Sequence, residues 1–227
     1  MPAGAAYDAV LFDLDGTLVD TAPDMVAALA ALMQAEGLEP LPYALARSWV
    51  SNGAAGLIGL AFPGVPQAEH DRLRHAFLDR YQAGVCVDSV LFPGLAELLD
   101  TLDAGGVPWG VVTNKPGYLS SALLDGLGIG SRAACLVAGD TIPERKPHPA
   151  PLLLASRRTG VAPARSVYVG DAARDIEAGR RAGMHTIAAA YGYVTADDDP
   201  ARWEAHQVAA DTAELAQLLL KGVNLGA

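Results

Sequence analysis

The alternation of short apolar runs with helical segments between residues 95 and 193 constrains the fold of this chain most. The runs have the length of buried strands and end at turn residues, and the segments between them carry apolar residues at helical spacing. The predicted strands cover residues 109–112, 135–138, 167–169 and 186–190. Because strands joined by helical crossovers lie parallel, the alternation predicts an α/β fold with a doubly wound parallel sheet, covered on both faces.

A further strand is predicted near the beginning of the chain, where the apolar residues 10–12 precede two carboxylates. Strand side chains alternate, so Asp13 and Asp15 fall on the same side of the chain, and Gly16 allows a sharp turn. Paired carboxylates suit a divalent cation and a phosphoryl group, and Thr17 adds a hydroxyl and an amide as donors. This stretch is therefore a candidate catalytic or metal-binding corner.

The chain between residues 21 and 88 shows no strand pattern. A helix is predicted from Thr21, as its N-cap, to Gly37, and further helices at residues 43–50, 54–62 and 67–82. We therefore expect two domains, a core formed by residues 1–20 and 89–227 and a helical cap domain formed by residues 21–88. A helical module placed over the end of a strand can act as a lid.

Four polar clusters follow predicted strands or the loops after them. They are Asp13 with Asp15, Thr113 with Asn114, Lys146, and Asp171 with Asp175. In a doubly wound sheet the ligand lies beyond the carboxyl ends of the strands, where the strand order switches. The four clusters are therefore expected to form one shared site.

Lysine is rare in this chain, since only three of the sixteen basic residues are Lys. Lys115 and Lys146 lie in proline-containing loops that follow strand-like runs, whereas Lys221 does not. In a chain that otherwise uses Arg, a Lys in such a loop is a candidate point charge, although an ordinary exposed Lys is the more frequent case.

Charge and cysteine content narrow the classes of partner. The net charge of -10 and the lack of a basic run argue against nucleic acid and anionic membranes. No apolar segment reaches the ~18 residues of a membrane span. Cys86 and Cys135 lack a Cys-x-x-Cys arrangement, which favours free thiols in the cytoplasm. The expected partner is a small phosphorylated metabolite, and the expected state is a monomer or homodimer.

The motifs together resemble the haloacid dehalogenase-like hydrolases, and especially their phosphoglycolate phosphatase branch. The stretch DLDGTLVD at residues 13–20 resembles the first family motif, and the later clusters match the other motifs in order along nearly the whole chain. The resemblance implies a Mg²⁺-dependent phosphomonoester hydrolase that acts through an aspartyl phosphate, most like one that converts 2-phosphoglycolate to glycolate and phosphate.

The resemblance also implies roles for individual residues. Asp13 is the nucleophile, Asp15 the general acid and base, Thr113 a ligand of the phosphoryl oxygens and Lys146 a cation that spreads their charge. The implied metal ligands are Asp13, the carbonyl of Asp15 and Asp171, with Asp175 in support. One departure from the family is Ala172, which stands where many relatives place a hydroxyl or carboxylate residue.

Substrate contacts are expected from the strand ends and from the cap. Thr17 and Asn114 are candidates in the core. Residues 47–53 (RSWVSNG) resemble the substrate-specificity loop of the family, where Arg47, Ser51 and Asn52 offer a cation and small donors. The Asn-Gly pair in this loop would also serve simply to separate two helices.

The sequence is also compared with several alternative functions. Residues 77–82 and 191–203 are more similar to N-acetylmuramic acid 6-phosphate phosphatases, and a phosphosugar mutase of the same family needs only a lid that excludes water. A phosphoacceptor receiver module needs neither a lid nor Asp15. A haloacid dehalogenase needs no metal, and that branch of the family lacks the second Asp, so Asp15 argues against it.

Overall fold

The computed structural model describes residues 7–195 and 197–225, and a six-stranded parallel sheet lies at its centre. The elements along the chain are β1 (Ala9–Phe12), β2 (Val19–Asp20), α1 (Ala22–Ala35), α2 (Tyr43–Ser48), α3 (Gly53–Ala61), α4 (Gln67–Ala83), β3 (Val90–Leu91), α5 (Leu95–Ala104), β4 (Trp109–Val112), α6 (Gly117–Gly126), β5 (Cys135–Val137), α7 (Ala150–Thr159), β6 (Ser166–Gly170), α8 (Ala173–Arg181), β7 (His185–Ala189), β8 (Gln207–Ala209) and α9 (Thr212–Gly222). No helix within these two ranges is both long and apolar enough to cross a membrane.

The order of strands in the sheet sets the position of the site. The order is β5-β4-β1-β6-β7-β8, and every neighbouring pair is parallel. From β1 the chain builds the sheet outward through β4 and β5, then returns to build the other half from β6. The order therefore switches between β1 and β6, and a crevice forms beyond their carboxyl ends. This arrangement confirms the predicted doubly wound fold.

Burial on both faces explains why the central strands are apolar throughout. All four residues of β1 are buried; Val10 and Phe12 pack on one face of the sheet, and Leu11 packs on the other. The first face is covered by α5, α6 and α9, through residues such as Leu99 and Leu215. The second face is covered by α7 and α8. The alternation of side chains along a strand thus supplies two separate hydrophobic layers.

Four helices, α1 to α4, lie between β2 and β3, and we call residues 22–83 the helical insertion. The predicted helices are present, except that α2 ends at Ser48 and a 3₁₀ turn covers Val50–Asn52. β2 and β3 pair antiparallel at the base of the insertion, which the sequence did not predict. The apolar residues of the insertion are continuous with those on the first face of the core, since both belong to one hydrophobic cluster.

The two chain crossings at the base of the insertion are tied by one carboxylate. Asp24, in the first turn of α1, is buried and accepts the backbone N–H groups of Val87, Asp88 and Ser89 at 2.9–3.0 Å. It also accepts the Ser89 hydroxyl at 2.6 Å. The chain entering the insertion and the chain leaving it are thereby held together.

The C-terminal elements β8 and α9 were not predicted. Three residues are too few to show an alternating pattern, which explains the missed strand. The helix did carry a signal, because Asp211 stands at its N-cap and accepts the Glu214 N–H at 2.8 Å. Leu215 and Leu219 then bury its apolar side.

Candidate active site

The structure brings the predicted strand-end clusters together at the switch point. Asp13 follows β1 directly, and its N–H donates to the Val169 carbonyl at 2.8 Å. Thr113 follows β4 in the same way, and its backbone N–H donates to the Val137 carbonyl at 2.9 Å. These backbone hydrogen bonds extend the parallel ladder by one residue, so both side chains have fixed positions at the edge of the crevice.

Lys146 lies in the middle of this group. Its Nζ is 2.8 Å from Asp13 Oδ1 and 2.7 Å from Asp175 Oδ1, and it donates to the Val112 carbonyl at 2.9 Å and the Tyr168 hydroxyl at 2.8 Å. The side chain is only 1% exposed. A buried ammonium must be paired and hydrogen-bonded to be tolerated, so these contacts hold the charge at one point beside Asp13.

Three carboxylates surround the same space. One oxygen each of Asp13, Asp171 and Asp175 lies within 4.8 Å of the others, and all three residues are buried. Burial raises the pKa of Asp171 to about 7, and the charges of Asp13 and Asp175 add to the rise. Burial also raises the pKa of Asp13, although Lys146 opposes the rise. The cluster therefore favours the arrival of a cation.

An unpartnered oxygen of Asp171 shows that a metal ion suits this cluster. Within the described residues, Asp171 Oδ1 and Thr17 Oγ1 are buried with no hydrogen-bond partner. Asp175 differs, since its Oδ1 pairs with Lys146 and its Oδ2 accepts the Ala172 N–H at 3.1 Å. A hard divalent cation prefers such carboxylate oxygens and keeps several waters. The donor set fits a divalent ion, with Asp171 offering the free oxygen.

Gly16 allows the backbone to approach this cluster closely. Its φ of 81° lies in the left-handed region, and a Cβ at this position would overlap the Asp171 carboxylate. Both the conformation and the space therefore require glycine.

A second cation holds the second carboxylate. Lys115 Nζ is 2.8 Å from Asp15 Oδ1, and the Thr21 hydroxyl donates to the same oxygen at 2.6 Å. Thr21 occupies the predicted N-cap position of α1, although its side chain accepts no backbone N–H of the helix. Lys115 Nζ also donates to the hydroxyl of Tyr81, on α4, at 2.9 Å.

Asn114 connects two of the predicted clusters. Its Nδ2 donates to the Lys146 carbonyl and its Oδ1 accepts the Lys146 N–H, both at 3.0 Å. The side chain of Asn114 thus fixes the loop that carries Lys146. Thr113 accepts the Lys115 N–H at 3.1 Å, and both Thr113 and Asn114 line the cavity above the cluster.

The predicted loop of the insertion reaches the site only in part. The Ser51 hydroxyl donates to Asp171 Oδ2 at 2.5 Å, and Arg174 Nη2 donates to the Ser51 carbonyl at 2.6 Å. Asn52 lines the cavity. Arg47 is not brought into the cavity lining, because its guanidinium pairs with Asp20 at 2.7 Å.

A cavity of about 380 Å³ separates the insertion from the strand ends. Asp13, Asp15 and Thr113 line it on the core side, and apolar side chains of both parts form much of its wall. The apolar lining includes Met25, Val50, Phe77, Leu78 and Leu119. Arg74 and Arg145 also line it. The cavity can therefore receive a ligand with an anionic group at the strand ends and a larger, partly apolar remainder.

Sequence reasoning missed several of these contacts. Lys115 carried a signal, since it is one of three lysines and follows a strand, but no partner could be assigned to it. Arg174 lies between Asp171 and Asp175 in the fourth motif and went unassigned. Tyr81 was part of an apolar helical stripe, and nothing in that stripe distinguishes a hydroxyl that contacts Lys115.

This fold and this site define a doubly wound α/β enzyme with its site at the strand ends. The sequence profile described as haloacid dehalogenase-like hydrolase matches residues 10–189, and the chain belongs to that family. Family membership confirms the resemblance of the motifs.

Relatives of known name are similar to most of the chain. A phosphoglycolate phosphatase of Xanthomonas campestris pv. campestris (strain 8004) is 48% identical, over 87% of this chain and 89% of its own. An N-acetylmuramic acid 6-phosphate phosphatase of Pseudomonas putida is 42% identical, over 93% and 95%. The crystal structure of a predicted phosphoglycolate phosphatase from Haemophilus somnus is 29% identical, with a TM-score of 0.83 over 93% of this chain and 97% of that one.

Proposed function

We propose that the protein hydrolyses small phosphomonoesters through an aspartyl phosphate on Asp13 and that it uses Mg²⁺. The observation that carries the proposal is the position of Lys146, whose Nζ lies 2.8 Å from Asp13 and 2.7 Å from Asp175 within a buried carboxylate cluster. Phosphoryl transfer requires neutralised charge and a fixed nucleophile more than any other contribution. This cluster supplies both.

Asp13 is the proposed nucleophile. Its Oδ1 is held by Lys146 and by the Leu14 N–H at 2.7 Å, so the carboxylate has a single orientation at the cavity. An oxygen of Asp13 forms a bond to phosphorus as the bond from phosphorus to the alkoxide oxygen breaks. Lys146 draws charge from the phosphoryl oxygens in that step.

Asp15 is the proposed general acid and base. It lines the cavity and is 15% exposed at its side chain, whereas Asp13 is 6% exposed. It donates a proton to the departing alkoxide and later accepts one from the water that attacks the phosphorus of the aspartyl phosphate.

The remaining strand-end residues are assigned to the phosphoryl group and the metal. Thr113 lines the cavity, and the hydroxyl of Thr17 has no partner among the described residues. Asp13, the Asp15 carbonyl and Asp171 would hold Mg²⁺, with Asp175 in support. When bound, the ion neutralises phosphoryl charge.

The helical insertion is the proposed lid over this chemistry. We divide the chain into a core of residues 1–20 and 89–227 and a cap of residues 21–88. The antiparallel pairing of β2 with β3 at the base of the insertion supports this division, as does the hydrogen bond from Ser51 to Asp171. Arg47 anchors the lid at Asp20 and is 4.9 Å from the centre of the Tyr193 ring. Ser51, Asn52 and Arg74 face the site from the lid side.

The first proposed substrate is 2-phosphoglycolate, the phosphoester in the name of the 46–48% identical relatives. A second candidate is N-acetylmuramic acid 6-phosphate, and the cavity favours it. The volume of the cavity, about 380 Å³, lies in the range of ~300–1,000 Å³ that is typical of pockets for drug-sized ligands. The apolar wall of the cavity has no role in binding a ligand as small and polar as phosphoglycolate.

The cytoplasm is the proposed location. The structure leaves both Cys86 and Cys135 as free thiols. Free thiols persist in reducing compartments.

A phosphate-release panel tests the function. It contains 2-phosphoglycolate, N-acetylmuramate 6-phosphate, glucose 6-phosphate and β-glucose 1-phosphate, each assayed with Mg²⁺ and with EDTA. We expect the highest kcat/KM for 2-phosphoglycolate or N-acetylmuramate 6-phosphate. In EDTA we expect no phosphate release from any of the four substrates. A preference for either plain sugar phosphate refutes both candidates, and conversion of β-glucose 1-phosphate without phosphate release indicates a mutase.

A further inference from the structure

We infer that Lys115 is the positioning residue of Asp15 and that Tyr81 on the helical insertion completes this arrangement. The inference rests on the proposed function, in which Asp15 transfers the proton to the leaving group. It extends that function by making the proton donor depend on a contact between the insertion and the core.

The two donors to Asp15 both select the same oxygen. Lys115 Nζ lies 2.8 Å from Oδ1 and the Thr21 hydroxyl 2.6 Å from it. No donor among the described residues bonds to Oδ2, and Asp15 lines the cavity. The carboxylate is therefore held by one oxygen, and the other is left for the reacting group.

The contacts of Lys115 favour positioning over direct binding of phosphate. Its ammonium donates to Asp15 and to the Tyr81 hydroxyl at 2.9 Å, and it lies 3.9 Å from Met25 Sδ. It is also 4.4 Å from the centre of the Tyr81 ring. Lys115 lines the cavity, but its side chain is only 5% exposed and its ammonium is engaged by Asp15 and Tyr81.

Tyr81 connects this pair to the insertion. It is 1% exposed on α4, and its hydroxyl reaches across to Lys115 on the loop after β4. Any displacement of α4 from the strand ends removes this contact. Asp15 is consequently oriented best when the insertion covers the site, so the proton donor is assembled together with the lid.

The two loop lysines thereby have parallel tasks. Lys146 holds Asp13, and Lys115 holds Asp15. A purely structural ion pair is the alternative, and buried pairs add little net stability compared with apolar side chains of similar size. A structural role would slow the release of every leaving group equally, whereas a positioning role slows this first step only for leaving groups that need a proton.

The test uses two substrates that differ in this need. 2-Phosphoglycolate releases an alkoxide, which must be protonated, whereas p-nitrophenyl phosphate releases a stable phenolate. Because Asp15 also serves as base in hydrolysis of the aspartyl phosphate, which both substrates share, the test measures the single-turnover rate of leaving-group release. For Lys115→Met we expect this rate on 2-phosphoglycolate to fall about 100-fold, the cost of a misplaced catalytic group. We expect KM to change less than about 3-fold, and the single-turnover release of p-nitrophenolate less than about 5-fold, because that release needs no proton donor. If N-acetylmuramate 6-phosphate is the better alkyl substrate, it replaces 2-phosphoglycolate.

Companion variants keep the test decisive. Tyr81→Phe retains the ring and loses only the hydroxyl, so it should show the same bias at about 5-fold even if Lys115→Met folds poorly. Lys115→Arg should recover part of the alkyl phosphate rate. Lys221→Met, at an exposed position at the end of α9, is the matched control and should change neither rate.

Asp15→Asn separates the two levels of the proposal. In single turnovers it should slow release of the alkyl leaving group far more than release of p-nitrophenolate. If that bias appears but Lys115→Met and Tyr81→Phe lower both rates equally or lower neither, the positioning role is refuted and the proposed function stands. If Asp15→Asn itself shows no bias, the general-acid assignment fails and the inference fails with it.

Discussion

The strand-end half of the site and the half formed by the helical insertion differ in how firmly their side chains are held. Asp13, Lys146, Asp171 and Asp175 are all buried, and each is held by at least one hydrogen bond or ion pair. On the insertion side, Ser51 and Arg74 are half-buried and Asn52 is exposed. Arg74 has no ion-pair partner among the described residues.

This difference separates chemistry from selectivity. Transition-state stabilisation requires charges fixed before the substrate arrives, since reorganisation then costs nothing during the reaction. Recognition of the leaving group tolerates, and often uses, side chains that adapt on closure of a lid. Substitutions in the first half should therefore abolish activity on every phosphoester, and those in the second half should change the preference among phosphoesters.

The largest effect is expected from Asp13→Asn. The change preserves volume and removes the nucleophile, so kcat should fall at least about 10⁴-fold on all substrates. The fold should survive, because Lys146 keeps Asp175 at 2.7 Å and the Val112 carbonyl at 2.9 Å. Steady-state kinetics and a melting curve measure the two outcomes. Sustained turnover within about 100-fold of the unmodified enzyme would refute the assignment.

Asp171→Asn should separate metal binding from folding. Activity should fall about 1,000-fold at a fixed Mg²⁺ concentration, because the free carboxylate oxygen is lost. The metal-free variant should melt no lower than the unmodified protein, since burial and like charge raise the pKa of Asp171 and thus disfavour its charged form.

Thermal melting with and without Mg²⁺ measures this prediction. At 100 times its Kd, Mg²⁺ should stabilise the unmodified protein by about 2.7 kcal/mol and Asp171→Asn by much less. Asp175→Asn is the contrast, since it breaks the buried pair with Lys146 and should destabilise by about 3 kcal/mol even without metal. Full activity in EDTA would contradict the metal assignment.

Arg74→Gln should affect selectivity. We expect KM to rise about 10-fold for phosphoesters that carry a carboxylate, while p-nitrophenyl phosphate keeps its KM, because only the former has a second anion for the guanidinium. Arg72→Gln is a matched control on the same helix, where Arg72 pairs with Glu36 and Glu69 away from the cavity. Equal changes in KM for the phosphoesters with a carboxylate and for p-nitrophenyl phosphate would show that Arg74 does not bind the carboxylate.

The smallest effect is expected from Arg47→Ala. Its ion pair with Asp20 lies outside the cavity lining and is about a quarter exposed, so it should contribute about 1 kcal/mol to stability. Kinetic constants should stay within about 3-fold for all phosphoesters. A loss of activity restricted to substrates that carry a carboxylate would instead support the predicted role of Arg47 as a substrate contact.

The sequence carries much more information about the first half of the site than about the second. Asp13, Thr113 and Asp171 each follow a buried apolar strand, and the rule that parallel strands end at a common edge brings them together. The pairing of Lys146 with both Asp13 and Asp175 depends on distances across the sheet, which no local pattern encodes.

The second half depends on how helices pack, and that packing was not predictable from periodicity. Tyr81 shares its helical stripe with Phe77, and only the structure shows that its hydroxyl contacts Lys115. Arg47 and Ser51 lie in one loop, yet Ser51 contacts Asp171 while Arg47 turns to Asp20. A break between α2 and the following 3₁₀ turn sends the two side chains apart.

The most direct test of the central claim is to trap the phosphorylated residue. The enzyme is mixed with its best substrate and Mg²⁺, quenched during turnover and treated with borohydride, which reduces an acyl phosphate to an alcohol. Mass spectrometry should then find homoserine at position 13, only when substrate and Mg²⁺ were both present, and never in Asp13→Asn. Reduction at another residue, or rapid phosphate release with no change at position 13, would contradict the account.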